Sequence, residues 1–408
     1  MRAEIITVGT EIMVGSILNT NSKYISSKLV ELGIETCYHT SVDDNDERLT
    51  NVINIALDRA DVIITTGGLG PTQDDLTKEV ISKALGLKLI KDLDVESNLV
   101  KMFSKMNRPM TDNNRKQAVK PENSDFIKND NGTAPGIFIY KDNKKIVMLP
   151  GPPKELIPMF ENSVVDLIKD DNYSIIINSI NTIGIGESSL EVELKSLDIY
   201  DKDLEIATFA KAGSCEVKLI GRGSNKKELE NKINNAIIKI EEKLGAYIYG
   251  YDNEPIAEVL VKNLVNKNYT IAICESCTGG LISSMITNVA GASNVFDRGL
   301  VTYSNNSKVS ELGVNTLTLT KYGAVSEETA YEMAKGLLEK AKTDIVLSIT
   351  GIAGPDGGSE NKPVGLVYIC VMSKKEYEVK KHMFSGNRST IQERASIRAL
   401  AEINKFLQ

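Results

Sequence analysis

The residues with the clearest potential for chemistry lie in the last third of the sequence. Ser276 follows the apolar run Ala272–Cys274 and comes directly before Thr278-Gly279-Gly280. A strand that delivers a serine to the start of a helix places its hydroxyl beside unpaired backbone N–H groups, which can stabilise an oxyanion. This pattern predicts nucleophilic attack on a carboxamide carbon. The same residues also fit a simple helix cap by Ser276 or Thr278.

A nucleophilic serine needs a base, and the sequence holds only two histidines, His39 and His382. Lys308 lies five residues after Tyr303, which ends a predicted strand. Desolvation beside an apolar strand end lowers the pKa of an amine, so Lys308 could take the proton of Ser276. Tyr303 could orient that proton. The alternatives are a solvated lysine at a helix start and a triad built on His382.

A glycine-dense segment, 350–358, follows the predicted strand Ile345–Ile349 and offers backbone N–H groups to a phosphate or a carboxamide. Arg394, in the predicted last helix, is a candidate phosphate contact. Cys274 and Cys277 have a C-x-x-C spacing, but no second pair or nearby histidine completes a metal site. The residues expected to contact a substrate here are Glu275, Thr278, Gly279, Gly280, Gly351, Gly354, Asp356 and Arg394.

A second cluster lies in the first third of the sequence. The segments 9–11, 42–44 and 65–75 each follow a predicted strand, so they meet at the carboxyl edge of a parallel sheet. Glycines there let backbone N–H groups approach phosphate oxygens. Asp74 and Asp75 suit a divalent cation that neutralises a pyrophosphate. The alternative is an ordinary strand-to-helix turn with a capping aspartate.

Alternating short strands and amphipathic helices must position both clusters. Over residues 1–170 and 253–408 this alternation predicts α/β domains with mostly parallel sheets. Residues 171–252 predict a small α+β domain that includes a strand over Ser174–Asn181 and a long helix over Lys226–Leu244. The predicted architecture is therefore α/β, with three domains.

Composition limits the partners. The 408 residues carry a net charge of −7, which gives no electrostatic attraction to nucleic acid or an anionic membrane. No apolar run approaches the roughly 20 residues that span a bilayer. Five cysteines do not suggest a disulfide framework in a chain of this size. We expect a cytoplasmic protein that binds neither nucleic acid nor membrane.

Taken together, the longer motifs resemble those of the CinA (competence/damage-inducible protein A) family. GTEIMVGSILNTN, TTGGLGPTQDD, NGTAPG and LPGPPKEL resemble the molybdopterin-binding-like fold and cover most of residues 1–168. ESCTGG, the Tyr303 to Lys308 spacing and TGIAGPDGG resemble nicotinamide-nucleotide amidohydrolases over about residues 255–406. By position, the middle domain resembles the KH-like domain of this family.

The resemblance implies two activities. In the C-terminal domain it implies hydrolysis of nicotinamide mononucleotide to nicotinate mononucleotide and ammonia without a cofactor, with Ser276 as nucleophile and Tyr303 and Lys308 assisting. In the N-terminal domain it implies cleavage of ADP-ribose to AMP and ribose 5-phosphate with a divalent cation (Mg, Mn or Co). The implied substrate and metal residues are Glu11, Asp44, Gly67, Gly68, Gly70, Asp74 and Asp75.

Three points stay open at this stage. Family members commonly have Gly before the aspartate that aligns with Asp44, whereas this chain has Asp43, so either carboxylate could serve. The middle domain has no G-x-x-G loop and more acidic than basic residues, which favours a homodimer interface over RNA binding. The alternative functions are an accessory protein in DNA transactions with vestigial pockets and an N-terminal domain that handles molybdopterin.

Overall fold

A computed structural model describes residues 1–105, 107–169, 172–252 and 254–408. The chain forms two compact units. The first comprises Met1–Ile176 with Gly221–Asn231, and the second comprises Ile177–Ile220 with Lys232–Gln408.

The first unit is built on a six-stranded sheet with the order β2-β1-β3-β8-β7-β6. Its strands are β1 (Arg2–Val8), β2 (Glu35–Val42), β3 (Val62–Thr66), β6 (Ser124–Ile127), β7 (Gly136–Lys141) and β8 (Lys144–Leu149), and a separate antiparallel pair is formed by β4 (Leu89–Lys91) and β5 (Val119–Pro121). Its α-helices are α1 (Thr10–Met13), α2 (Thr20–Glu31), α3 (Asp46–Arg59), α4 (Thr77–Ala84), α5 (Leu93–Lys105), α6 (Pro153–Met159) and α7 (Val165–Ile168). A 3₁₀ helix spans Asp112–Ala118, and a π-helical turn at Phe160–Val164 separates α6 from α7.

Two apolar layers cover the faces of this sheet because successive strand residues point to opposite sides. In β1, Ile5 packs into one core cluster and Ile6 into the other. Strands β2, β1, β3 and β8 run parallel, as the sequence predicts, so their carboxyl ends meet at one edge. The predicted hairpin of β7 and β8 is also confirmed.

The middle domain has a four-stranded sheet with the order β10-β11-β9-β12. Its elements are β9 (Ser174–Thr182), α8 (Glu187–Lys195), β10 (Leu204–Lys211), β11 (Ser214–Gly223), α9 (Lys226–Leu244) and β12 (Ile248–Tyr251). Strand β12 was not expected, because Tyr251 is followed by polar residues typical of a linker. It pairs antiparallel with β9.

The C-terminal domain has a five-stranded sheet with the order β14-β13-β15-β16-β17. Its strands are β13 (Ile271–Glu275), β14 (Phe296–Val301), β15 (Ile345–Gly351), β16 (Leu366–Ser373) and β17 (Tyr377–Met383). Its helices are α10 (Ile256–Lys267), α11 (Leu281–Thr287), α12 (Asn305–Leu312), α13 (Thr316–Tyr322), α14 (Glu327–Ala341) and α15 (Arg388–Phe406). Helices α12 and α13 were not predicted.

The first three strands of this sheet, β14, β13 and β15, are parallel, whereas β16 and β17 are antiparallel additions. Ile273 of β13 packs into one core cluster and Cys274 into the cluster on the opposite face. In the part of the chain that the structure describes, no helix is both long and apolar enough to cross a membrane.

Candidate functional site

The carboxyl edge of the C-terminal sheet brings Ser276 and Lys308 together. Ser276 directly follows β13, and its amide N–H donates to the carbonyl of Ile349 at 3.1 Å. Lys308 lies in α12, which follows β14, and its amine is 3.0 Å from the Ser276 hydroxyl oxygen. Both side chains are almost fully buried, with 7% and 1% of the residue exposed. The predicted nucleophile and base are therefore in hydrogen-bond contact.

Three oxygen atoms surround the Lys308 amine. Besides the Ser276 hydroxyl, they are the carbonyls of Thr302 at 2.8 Å and Tyr303 at 3.3 Å. A neutral amine has two N–H groups, which suit the two carbonyls, and one lone pair, which suits the serine O–H. Burial lowers the pKa of Lys308, and no carboxylate contributes to that shift. Burial therefore shifts the amine toward its neutral, basic form relative to a solvated lysine.

The backbone around the serine corrects one expectation from the sequence. The carboxylate of Glu275, which is fully buried, accepts the amide N–H groups of Gly280, Ile282 and Ser283. It also accepts the Ser283 hydroxyl at 2.7 Å. Glu275 thus occupies the start of α11 and cannot contact a substrate as predicted. Its role is to fix the helix behind the serine.

The amides that remain available come earlier in the turn. Among the described residues, neither the Cys277 nor the Thr278 amide N–H donates to a backbone carbonyl oxygen. Thr278 is 3% exposed, and its hydroxyl is buried without a partner in the structure. Gly279 and Gly280 follow with φ of 63° and 100°, the left-handed region that permits this tight turn. These groups could hold the oxygen of a carboxamide next to Ser276.

The C-x-x-C cysteines are poor candidates for redox chemistry. Cys274 and Cys277 are both buried, and burial raises the pKa of each thiol, that of Cys277 to about 12. A thiolate is the reactive form of cysteine, so these thiols are inert at neutral pH. His382 is also a poor candidate for the base. Burial lowers its pKa to about 4, and its ring lies against Glu402 and Phe384.

An arginine that the sequence did not single out reaches this site. Arg388, the first residue of α15, donates to the Tyr303 hydroxyl at 2.7 Å and to the carbonyl of Gly354 at 2.8 Å. The predicted Arg394 instead donates to the carbonyl of Ser385 at 2.8 Å. Arg394 therefore lies six residues after the arginine that contacts Tyr303, and its predicted phosphate contact stays a prediction. The Tyr303 side chain is 58% exposed, so its hydroxyl lies at the open side of the site.

The remaining predicted contacts differ in how far they can serve a ligand. Gly351 ends β15, where an added Cβ would lie 2.6 Å from Val367, so this glycine allows close strand packing. Gly354 precedes a cis proline and holds Arg388 through its carbonyl. Asp356 is exposed in the same loop.

In the N-terminal domain, two glycines shape the loop after β3. Gly67 has a φ of 105°, and a Cβ at this position would lie 2.0 Å from the Val8 carbonyl. Gly68 has a φ of 67° and packs against the Thr77 hydroxyl, which donates to the Gly67 carbonyl at 2.9 Å. Only glycine fits either position. The loop therefore brings bare backbone up to the end of β1.

This loop borders a cavity of about 360 Å³ at the carboxyl edge of the sheet. Every residue predicted for the N-terminal site lines it, namely Glu11, Asp44, Gly67, Gly68, Gly70, Asp74 and Asp75. Glu155 and Gln117 also line it and were not predicted. Five carboxylates face the cavity, and none of its lining residues is a lysine or an arginine.

The structure distinguishes the two neighbouring aspartates after β2. Asp43 pairs with Arg48, which lowers the pKa of that carboxyl. Asp44 lines the cavity and accepts both the amide and the hydroxyl of Thr10 at 2.8 Å. Asp44 is therefore the carboxylate that belongs to the cavity, and Asp43 is engaged elsewhere.

The predicted metal residues are only partly free. Asp75 accepts the Thr72 amide at 2.8 Å, and a hydrogen bond from Thr72 lowers the pKa of Asp74. Both groups are suited in charge to a hard cation. Within the described ranges, no group of three or more His, Cys, Asp or Glu side chains is close enough to hold a metal. A cation here would have to take further ligands from a substrate or from water.

Comparison with known proteins covers the whole chain. A putative competence-damage inducible protein of Thermoanaerobacter pseudethanolicus is 47% identical over 408 residues, with 100% of this chain and 98% of the relative aligned. A CinA-like protein of Dictyoglomus thermophilum is 46% identical, covering 100% of this chain and 99% of that protein. The chain belongs to the CinA family.

Three domain-family models match successive regions of the chain. They are a probable molybdopterin binding domain at residues 4–170, the damage-inducible protein CinA KH domain at 178–250 and the CinA C-terminal domain at 253–407. The predicted architecture, with a molybdopterin-binding-like, a KH-like and a C-terminal α/β domain, is thereby confirmed. A solved competence/damage inducible protein of Agrobacterium tumefaciens is 37% identical, with a TM-score of 0.37, and covers 38% of this chain and 98% of its own.

Proposed function

We propose that the C-terminal domain is a serine–lysine amidase that converts nicotinamide mononucleotide to nicotinate mononucleotide and ammonia. The observation that carries this proposal is the 3.0 Å contact between the Ser276 hydroxyl and a buried amine with no carboxylate partner. Lysine bases of this kind depend on a lowered pKa, which burial supplies here. The choice of substrate rests on the resemblance of the motifs around Ser276.

The reaction would proceed in two steps. Ser276 Oγ attacks the carboxamide carbon while its proton passes to Lys308 Nζ, and the oxyanion is stabilised by the Cys277 and Thr278 amides. The C–N bond then breaks, and the nitrogen leaves as ammonia with the proton from Lys308. In the second step water attacks the ester carbon, Lys308 takes its proton, and Ser276 leaves as the restored hydroxyl. Tyr303 assists by orienting the carboxamide or the proton.

Arg388 completes the proposed site. Its guanidinium is exposed at the same edge and is held by Tyr303 and Gly354. A planar guanidinium suits a phosphate monoester, which is the charged end of the substrate. We assign to Arg388 the phosphate contact that the sequence gave to Arg394.

For the N-terminal domain we propose metal-dependent cleavage of ADP-ribose to AMP and ribose 5-phosphate. Five carboxylates line the cavity and would repel a bare pyrophosphate, so we expect the substrate to enter with divalent cations. Asp74 and Asp75 would hold a cation (Mg, Mn or Co), which would neutralise the pyrophosphate and polarise it for attack by water. The backbone of Gly68 and Gly70 would face the phosphate oxygens, whereas the Gly67 amide already donates to the Leu149 carbonyl at 3.0 Å.

One experiment tests both assignments. The purified protein is incubated separately with nicotinamide mononucleotide and with ADP-ribose plus each metal, and the products are identified by mass spectrometry. We expect nicotinate mononucleotide with ammonia in the first reaction, and AMP with ribose 5-phosphate in the second. If neither substrate is consumed, an accessory role is favoured. Retention of molybdopterin instead of ADP-ribose would reassign the N-terminal cavity.

A further inference from the structure

Gln117 presents a buried acceptor to the N-terminal cavity. The residue lies near the end of the 3₁₀ helix Asp112–Ala118, is 3% exposed and lines the cavity. Its side-chain oxygen is buried and has no hydrogen-bond partner in the described part of the chain. A buried acceptor without a donor is destabilising, so such groups in folded proteins usually meet a ligand or an ordered water.

Hydrogen bonds of the neighbouring Lys116 fix the 3₁₀ helix that carries Gln117. The amine of Lys116 donates to the carbonyls of Thr72, at 3.1 Å, and Asp75. The amine of Lys78, which is 3% exposed, donates in turn to the carbonyl of Lys116. These bonds tie the 3₁₀ helix to the loop that carries Asp74 and Asp75. The backbone next to Gln117 is therefore fixed to the loop that carries the predicted metal residues.

Gln117 differs in chemistry from the charged groups around it. The carboxylates of the cavity suit cations, whereas an uncharged amide oxygen suits an N–H or O–H donor. Phosphate oxygens at neutral pH are predominantly acceptors, so they are the wrong partners for this atom. ADP-ribose has two kinds of donor away from its pyrophosphate, the adenine amino group and the ribose hydroxyls.

We propose that the Gln117 amide oxygen accepts a hydrogen bond from a nucleoside donor of the substrate and thereby selects nucleotides at the N-terminal site. This inference rests on the proposed ADP-ribose function and adds to it the residue that recognises the uncharged part of the substrate. A site built around a hydrogen bond rejects ligands that lack the donor, because the buried group then stays unpaired.

The test is equilibrium binding of the non-cleavable α,β-methylene analogue of ADP-ribose, measured by calorimetry with Mg²⁺ on the full-length protein. Gln117→Met keeps the length of the side chain but removes the acceptor, and we expect its affinity to fall about tenfold. Asn113→Leu, an exposed amide-to-apolar change in the same 3₁₀ helix, is the matched control and should bind like wild type. Equal C-terminal amidase activity and equal melting temperatures show that both variants fold.

Modified ligands identify the donor. We expect wild type to bind either the hypoxanthine analogue, which lacks the 6-amino group, or a deoxyribose analogue about tenfold more weakly than the parent, and equal binding of all three would overturn the assignment. In Gln117→Met this discrimination should disappear, an outcome that a merely structural role would not produce. Wild-type and Gln117→Met affinities that are equal, or discrimination that survives in Gln117→Met, overturn the assignment of Gln117 alone. Failure of wild type to bind the parent analogue overturns the ADP-ribose proposal and this inference with it.

Discussion

The two candidate sites lie at the same kind of sheet edge but are prepared for chemistry in different ways. At the C-terminal site the protein supplies the serine, the amine and two free amides, all fixed by backbone contacts. At the N-terminal site it supplies a glycine loop and five carboxylates, and the Lys116 amine beside them is bonded to the carbonyl of Asp75. On the proposed functions, the C-terminal site draws its reacting groups from the chain alone, whereas the N-terminal site would also need cations from solution.

The carboxyl edges of the two sheets therefore suit substrates of different charge. The C-terminal site suits a substrate whose reacting carboxamide is neutral, because a buried lysine without a counter-ion stays basic. The N-terminal site suits a highly charged substrate, because metal ions can neutralise pyrophosphate and carboxylates together. We expect a substitution in one site to change only the activity of that site. The predictions below test this independence.

The largest effect is expected from Ser276→Ala. Nicotinamide mononucleotide turnover should fall roughly 10³-fold or more, since no other group forms the covalent bond. ADP-ribose cleavage should be unchanged. Ammonia release is the measurement, and Ser284→Ala, an exposed serine in α11, is the control. A folded Ser276→Ala protein that keeps a tenth of wild-type turnover would show that Ser276 only caps the helix.

Lys308→Arg should be nearly as damaging, with a loss of roughly 10²- to 10⁴-fold. Arginine keeps the positive charge but stays protonated, so it cannot accept the serine proton. In the wild-type protein, kcat/KM should fall as the pH drops through the pKa of Lys308, because protonation removes the lone pair. That pKa is lowered by burial, so the active range should begin at a lower pH than for an ordinary lysine. A mild Lys308→Arg phenotype would indicate that the lysine only attracts phosphate.

Removal of divalent metal should separate the two sites. With a chelator, ADP-ribose cleavage should decrease at least 100-fold while nicotinamide mononucleotide turnover continues, because only the proposed N-terminal reaction uses a cation held by carboxylates. Asp75→Asn should have the same effect without chelator. Parallel product assays on one protein sample measure both. Equal inhibition of the two activities would contradict the division of chemistry.

The smallest effect on turnover is expected from Glu275→Gln. The carboxylate of Glu275 accepts three amides and one hydroxyl, so its neutral isostere should lower the free energy of unfolding by about 1.5–3 kcal/mol. Turnover per folded molecule should decrease less than tenfold, because Glu275 touches no substrate. Denaturant unfolding followed by fluorescence and amidase activity distinguishes the two quantities. A complete loss of turnover in fully folded protein would return Glu275 to the residues that contact the substrate.

The sequence predicted most of the architecture because strand and helix periodicities are local. The strands β1, β3 and β8 and the helix α9 lie where their apolar patterns place them. What it missed was short or determined by distant contacts. Strand β12 has four residues and exists through pairing with β9, and α12 begins in a polar run, Asn305-Asn306-Ser307, that is also typical of a loop.

The site was predictable in its residue types but less so in its connections. The Ser276 to Lys308 contact follows from motifs at the ends of neighbouring strands. Arg388 was missed because its partner Tyr303 is 85 residues away, and nothing in the last helix distinguishes Arg388 from Arg394. Gln117 was missed because an isolated glutamine carries no signal until its burial against a cavity is known. Glu275 was misassigned because a carboxylate beside a nucleophile is also typical of a catalytic group.

The three oxygens around the Lys308 amine have a consequence for the influence of salt. Two of them are backbone carbonyls and the third is a hydroxyl. The basicity of the amine therefore depends on nearby dipoles and on the exclusion of water. Mobile ions screen exposed charges over about 10 Å at 0.1 M salt but reach a buried, uncharged amine poorly. We therefore expect the rate of the chemical step at the proposed amidase site to depend little on ionic strength. The carboxylate-lined N-terminal cavity, by contrast, presents a field that dissolved ions weaken directly.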